Sequence, residues 1–371
     1  MAQGLETPNF RSVAEKIVRD CAGVRPGQVV QIGGGIHNFG FLSAVAAAVR
    51  RAGAFPELNV TSDDLQVEML TTTPLEHLRA LPEHRLRWLE DVDVIIATDA
   101  VENPQKAESV PEERRLAALA AAKAMERHIF ERGVRWVYVG WPTPAATPGL
   151  ALPFAGFWPM FWRAVDVDYR QLAAEAASAA AILEVAEEVR IVSERGTDLT
   201  LRLAGRPVLV DDGVISDEDV ERGDTAATLP AGKVFVAPQE DSAAGRLVAD
   251  FAVLGGRPVS GLELTLAEGR VRAVGAHPSA AAVERLLAGE RGEVDRVGEL
   301  GIGLNPAVDR FAGYSLTDEK RRGALYLGFG DNRLLGGANA ATVRWELFVE
   351  NPTVLVDGRP FLEAGRLTLR S

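Results

Sequence analysis

The chain has 371 residues, a formal net charge of −12, 47% hydrophobic residues and 25% charged ones. That length exceeds one ordinary core and points to two domains. The acidic balance argues against a nucleic-acid partner, which needs a basic footprint. The lack of an apolar run of roughly 18 residues argues against a membrane one.

The opening stretch "MAQGLETPNFRSVAEKIVRD" lacks the basic, apolar and small-residue order of a secretory leader. The single cysteine, Cys21, cannot form an internal disulfide and reads as a small buried apolar residue. Both fit a reducing, cytoplasmic setting.

Apolar spacing near 3.6 predicts a helix over 11–22, broken by Pro26 and Gly27. A strand follows at 29–32, then the loop "GGGIHNFG", a helix over 41–53 stopped by Gly53, and a strand at 56–60. A buried strand over 93–98, a long helix over 111–133 and a strand over 134–142 continue the alternation. Strand–helix–strand order favours a parallel sheet. Composition then shifts to proline, glycine and aromatics, and a helix follows over 169–189. From about 189 the chain turns strand-rich: "VRIVSE", "DLTLRLAG", "KVFVAP", "RLVADFAVL" and "GLELTLAEGRVRAV". The fold class expected is α/β: an open N-terminal α/β domain over 1–185 and a strand-rich α+β domain over 186–371.

Three features invite a chemical reading. "QIGGGIHNFG" is a glycine-rich turn between strand and helix, a place that can cradle phosphate. Its spacing is not the dinucleotide fingerprint, so a structural turn is the plainer reading. None of the histidines 37, 77, 84, 128 and 277 forms an H-x-x-x-H pair, and no G-x-S-x-G elbow supports a serine hydrolase. Phe154, Phe157, Trp158, Phe161 and Trp162 fall at helical spacing, as a core stripe, a subunit contact or a lid would.

The C-terminal half carries ordered strings: "SERGTDLTLRLAGRP", "LPAGKVFVAP", "VGELGIGLNP", "TDEKRRGALYLGFG" and "GGANAATVRWELF". In that order and with those gaps, the chain resembles the thermophilic aminopeptidases, the M29 metallopeptidases, from about residue 10 to 370. The resemblance implies an α/β N-terminal domain, a C-terminal domain holding two metal ions, usually zinc or cobalt, and a homodimer. More distantly, "PQEDSAAG" (238–245) resembles a string of the 2,5-dihydroxypyridine dioxygenases, which use one iron on a similar scaffold.

Carried over one position at a time, the implied ligand set is changed. The glutamate expected after "LP-x-G" is Lys233, and the glutamate of "VGELG" is kept as Glu299. Tyr326 and Arg344 stand where histidines belong, Arg333 replaces a tyrosine, and Glu346 replaces an aspartate. Asp318, Glu319, Lys320, Gly336, Gly337, Asn339 and Trp345 keep the scaffold pattern. Arginine stays protonated and cannot ligate zinc. The expectation is therefore an aminopeptidase-like, hydrolase-like protein with a degenerate metal site and no metal or other cofactor. Glu299, Tyr326 and Glu346 would be catalytic, and Lys233, Arg333 and Arg344 would bind a small anionic, amino-acid-like substrate. All six would converge on one pocket with an excess of one positive charge. The alternatives are a non-catalytic scaffold and a metal-dependent aminopeptidase with unusual ligands.

Overall fold

The computed structural model describes residues 8–203 and 205–368. Residues 1–7 of the stretch read for a leader, Ala204 and residues 369–371 lie outside that description. The chain divides into two compact units. One holds Met1–Pro148 and Gly213–Pro230; the other holds Gly149–Asp212 and Ala231–Ser371.

In the first unit, the buried runs Val29–Gly35 and Val94–Thr98 form inner strands, and the mostly exposed Phe55–Thr61 forms an edge. The sheet order is Phe55–Thr61, Val29–Gly35, Val94–Thr98, Arg135–Val139 and Ala226–Leu229, with every pairing parallel. The helix Phe39–Arg51 buries Phe41, Leu42, Val45 and Val49 on one stripe, the 3.6-residue period of a core-facing helix. The helix from Phe10 widens after Lys16 into a turn in which Ala22 N–H donates to Ile17 O at 2.8 Å. Cys21 is buried there. The glycine run is longer in strand than the expected 29–32, since the strand continues through Gly35. A side chain on Gly35 would sit 2.4 Å from the His37 ring, so glycine is needed for that close approach.

The division differs from a single cut at 185 in two ways. Residues 149–184 belong with the second unit, where Asn305 Nδ2 donates to Ala164 O at 2.9 Å and Phe157 packs 5.5 Å from Tyr314. Residues 213–230 return to the first unit, where Ala226–Leu229 extends the parallel sheet. The shift to proline, glycine and aromatics after 142 lies at the first boundary, while no composition shift marks the return at 213–230, because strand pairing is chosen across long sequence distances.

The aromatic stripe lies on the helix Phe154–Val165. Phe157, Trp158, Phe161 and Trp162 are all buried. Their rings stack edge-on or tilted against one another. The stripe is core, so those four rings are not offered to a second subunit.

The second unit contains two antiparallel sheets. The larger runs from Arg270–Val274 at one edge to Arg366–Leu367 at the other, with eight strands among the described residues. The other has seven: Arg257–Val259, Phe251–Leu254, Arg344–Glu350, Ala324–Gly330, Val297–Gly303, Lys233–Val236 and Val208–Asp211. The last five of these carry the candidate site.

Among the described residues, no helix is long and apolar enough to cross a membrane.

Candidate functional site

Register brings the site together. Lys233 pairs with Gly303 and Asp211, Gly301 with Tyr326, and Gly328 with both Glu299 and Glu346. Side chains alternate faces along a strand. Lys233, Glu299, Tyr326, Arg344 and Glu346 are thereby set among glycines on neighbouring strands. Two of those glycines make the space. A Cβ on Gly301 would lie 2.1 Å from the Tyr326 ring, and one on Gly328 would lie 3.1 Å from Glu299 and 3.4 Å from Arg344 Nε.

The residues form a closed ion network. Lys233 Nζ lies 2.5 Å from Glu319 Oε2 and 3.7 Å from Glu299 Oε1, and donates to Tyr326 OH at 2.9 Å. The Phe235 ring faces the same ammonium, 4.2 Å from its centroid, a cation–π contact. Tyr326 OH donates a short hydrogen bond to Glu299 Oε1. Arg344 Nη2 lies 2.6 Å from Glu299 Oε2, 2.9 Å from Glu346 Oε1 and 3.7 Å from Glu319 Oε1. Glu299 Oε2 takes no directed hydrogen bond and is held by that charge contact.

Three further groups complete the network. Lys320 Nζ lies 3.0 Å from Asp211 and 3.2 Å from Glu319 Oε2. Ser315, exposed at the start of the short helix Ser315–Asp318, donates to Glu346 Oε2 at 2.9 Å and lies 3.1 Å from Glu319 Oε1. Buried Asp318 accepts from Ala312 N–H at 2.7 Å and Gly313 N–H at 2.8 Å, pinning the loop that carries this helix.

Environment sorts the carboxyls. Burial opposes ionisation of Glu319, yet Lys320 and Lys233 outweigh it and hold its carboxyl well below the usual range. Glu346 goes the other way. Burial, then the charge of Glu319, pushes it up to about 8, so at neutral pH it carries a proton shared toward Glu319. Burial and Glu299 raise Tyr326 well above its ordinary value, so it stays a neutral donor. Burial raises Asp318 to about 7.

Five of the six expected residues therefore converge. Arg333 does not. It lies on the turn Arg333–Leu335 and pairs locally with Asp331 at 2.5 Å, with its side chain 64% exposed. Position in a motif string fixed its place in the chain but not its direction. The charge count also differs from an excess of one positive. Formally, Lys233, Lys320 and Arg344 face Asp211, Glu299, Glu319 and Glu346. With Glu346 protonated, three charges of each sign remain.

Glu319, Lys320, Asp211 and Ser315 were not expected in the site. Glu319 and Lys320 stood in the "TDEK" string read as scaffold. Adjacent opposite charges beside a motif strand are a usable signal of a buried pair. Asp211 and Ser315 carry no such signal, since only the fold brings them within reach.

The family described as "Thermophilic metalloprotease (M29)" matches residues 6–359. The chain belongs to the M29 family. Its fold agrees with wild-type AmpT from Thermus thermophilus at a TM-score of 0.71 and 22% identity, covering 97% of this chain and 99% of that one. It also agrees with 2,5-dihydroxypyridine dioxygenase from Pseudomonas putida KT2440 at a TM-score of 0.66 and 15% identity, covering 99% of each. No curated protein sequence matches significantly. At these identities the structural likeness establishes the fold alone.

In this M29 chain, no group of three or more histidine, cysteine, aspartate or glutamate side chains among the described residues is placed to hold a metal ion. Each of the four carboxylates instead faces a fixed protein cation.

Proposed function

We propose that this M29 protein acts without a metal, on a small anionic, amino-acid-like molecule held at Arg344. The observation that carries this reading is the place of Lys233. Its ammonium gathers Glu319, Glu299 and Tyr326 within 2.5 to 3.7 Å, as a cation at that point would. A divalent ion does not fit among these side chains, because the two cations Lys233 and Arg344 repel it and occupy the carboxylate lone pairs.

Arg344 is the outward group of the network. A third of its side chain is exposed, and its contacts run through Nη2, which leaves the other guanidinium edge for a ligand carboxylate. Protonated Glu346 lies beside it as an acid, and Tyr326 behind it as a neutral donor. Perturbed carboxyls in one cluster are a mark of functional sites. A homodimer, which the family resemblance favours, would use a surface other than the aromatic stripe.

The balance of three charges of each sign favours a second reading, a non-catalytic scaffold whose ion pairs replace the metal centre. Thermal melting of wild type and Arg344→Ala against a panel of amino acids and short peptides separates the two. Stabilisation of the wild type, weakened at least tenfold in apparent affinity by Arg344→Ala, supports a working site. A large drop in melting temperature with no ligand response in either protein supports the scaffold.

A further inference from the structure

The first unit holds a pocket lined mainly by polar residues, far along the sequence from the ion network and unexplained by it. Its volume is about 460 Å³, and its walls include Gln31, Glu57, Asn59, His84, Arg85 and Trp88. Small-molecule sites range over about 300–1,000 Å³.

The sequence makes this pocket by breaking a rule. A strand under a helix normally turns apolar side chains toward it. Here Gln31 pairs in register with Glu57, and Gly33 with Asn59, so polar groups or no side chain at all line that part of the sheet face. Pro82 ends the preceding helical stretch, and the helix Glu83–Leu89 starts afresh. That restart sets His84, Arg85 and Trp88 over the polar strip. Trp88 is anchored by packing on the core of Leu89, Val92 and Ile95.

One group is buried without a partner, and the others lie open or half-open to solvent. Gln31 is only 9% exposed, and its Oε1 is buried with no hydrogen-bond partner. A buried amide oxygen left unpaired is costly, which marks a place meant for a donor. Among the described residues, the side chains of Glu57, Asn59, His84 and Arg85 enter no ion pair or hydrogen bond either. A carboxylate on the sheet thus shares one pocket with a guanidinium and an imidazole on the helix, and the Trp88 indole forms part of its wall.

We propose that this pocket binds a small zwitterion of amino-acid or dipeptide type. Its ammonium sits at Glu57, beside the Gln31 amide, and its carboxylate at Arg85 and His84. A ligand with one charge alone leaves the opposite wall unpaired. Charge-assisted contacts at both ends make the selection.

The test uses the full chain labelled with 15N at tryptophan and follows the Trp88 indole resonance. The probes are glycylglycine, N-acetylglycine and glycylglycinamide, which are close in size but carry both charges, the negative one and the positive one. Glycylglycine is expected to shift the resonance saturably. The two single-charge probes are expected to bind at least tenfold more weakly. Arg85→Ala and Glu57→Gln should each cost at least tenfold, while Arg344→Ala should leave the titration unchanged. No saturable shift, equal binding of the three probes, or loss of the shift in Arg344→Ala overturns the proposal. The probe comparison stands without any variant, and the Arg344 arm separates this pocket from the ion network.

Discussion

Lys233 and Glu319 form the shortest ion pair of the network, 2.5 Å between ammonium and carboxylate, with both side chains about nine-tenths buried. Glu319 also accepts Lys320 and lies near Arg344 and Ser315. The pair is thus the hub through which the other charges are coupled.

Removing the hub's cation should be costly. Lys233→Met leaves Glu299 and Glu319 short of a partner in a dry setting, and such a loss costs about 3–5 kcal/mol. Urea unfolding of the variant should show that drop. A change below about 1 kcal/mol would mean that Lys320 and Arg344 alone hold the carboxylates.

Stability should depend on pH through Glu346. Its folded value is raised to about 8, while an unfolded glutamate titrates near about 4.3. Between those values the unfolded chain binds fewer protons than the folded one. Stability therefore falls as pH rises from about 4.3 to about 8 and levels off above. Glu346→Gln, which cannot ionise, should remove about half of the combined decline, because Asp318, raised to about 7, adds a slope of the same sign over a slightly narrower pH window. Glu319 is depressed, so its contribution is lost only as pH falls below the unfolded value. Chemical unfolding at a series of pH values reads all three, and an unchanged slope in Glu346→Gln contradicts the assignment.

Tyr326→Phe keeps the ring over Gly301 and deletes one hydroxyl. That hydroxyl donates to Glu299 and accepts from Lys233, both buried. Leaving such partners unpaired costs about 1–3 kcal/mol. Urea unfolding should show a loss in that range, and a neutral result would mean that water or Arg344 takes over the contact.

Arg333 and Arg344 should behave differently although both replace expected ligands. Arg333→Ala removes a local, exposed pair and should leave melting temperature and ligand response unchanged. Arg344→Ala should change one or both. Equal behaviour of the two variants would break the distinction between a surface arginine and a network arginine.

Much of this molecule could be read from the chain. The alternation of strands and helices over 29–139 pointed to the parallel sheet, and the apolar run Val94–Thr98, buried almost throughout, is its clearest signal. The ordered strings of the second half placed Lys233, Glu299, Tyr326, Arg344 and Glu346 on strands of one scaffold. Their residue types alone led to the expectation that cations stand where the resemblance implies metal ligands. Pairing decided the rest. Asp211, Glu319, Lys320 and Ser315 enter the site only because strand register and the short helix bring them within 4 Å of the others. Arg333 leaves it because its turn points the side chain toward Asp331 and solvent. The protonation of Glu346 follows from burial beside Glu319, a property of surroundings and not of residue type. The strand Ala226–Leu229 joins a sheet whose neighbouring strand lies some 90 residues earlier in the chain, because backbone groups bond to whatever edge the fold presents.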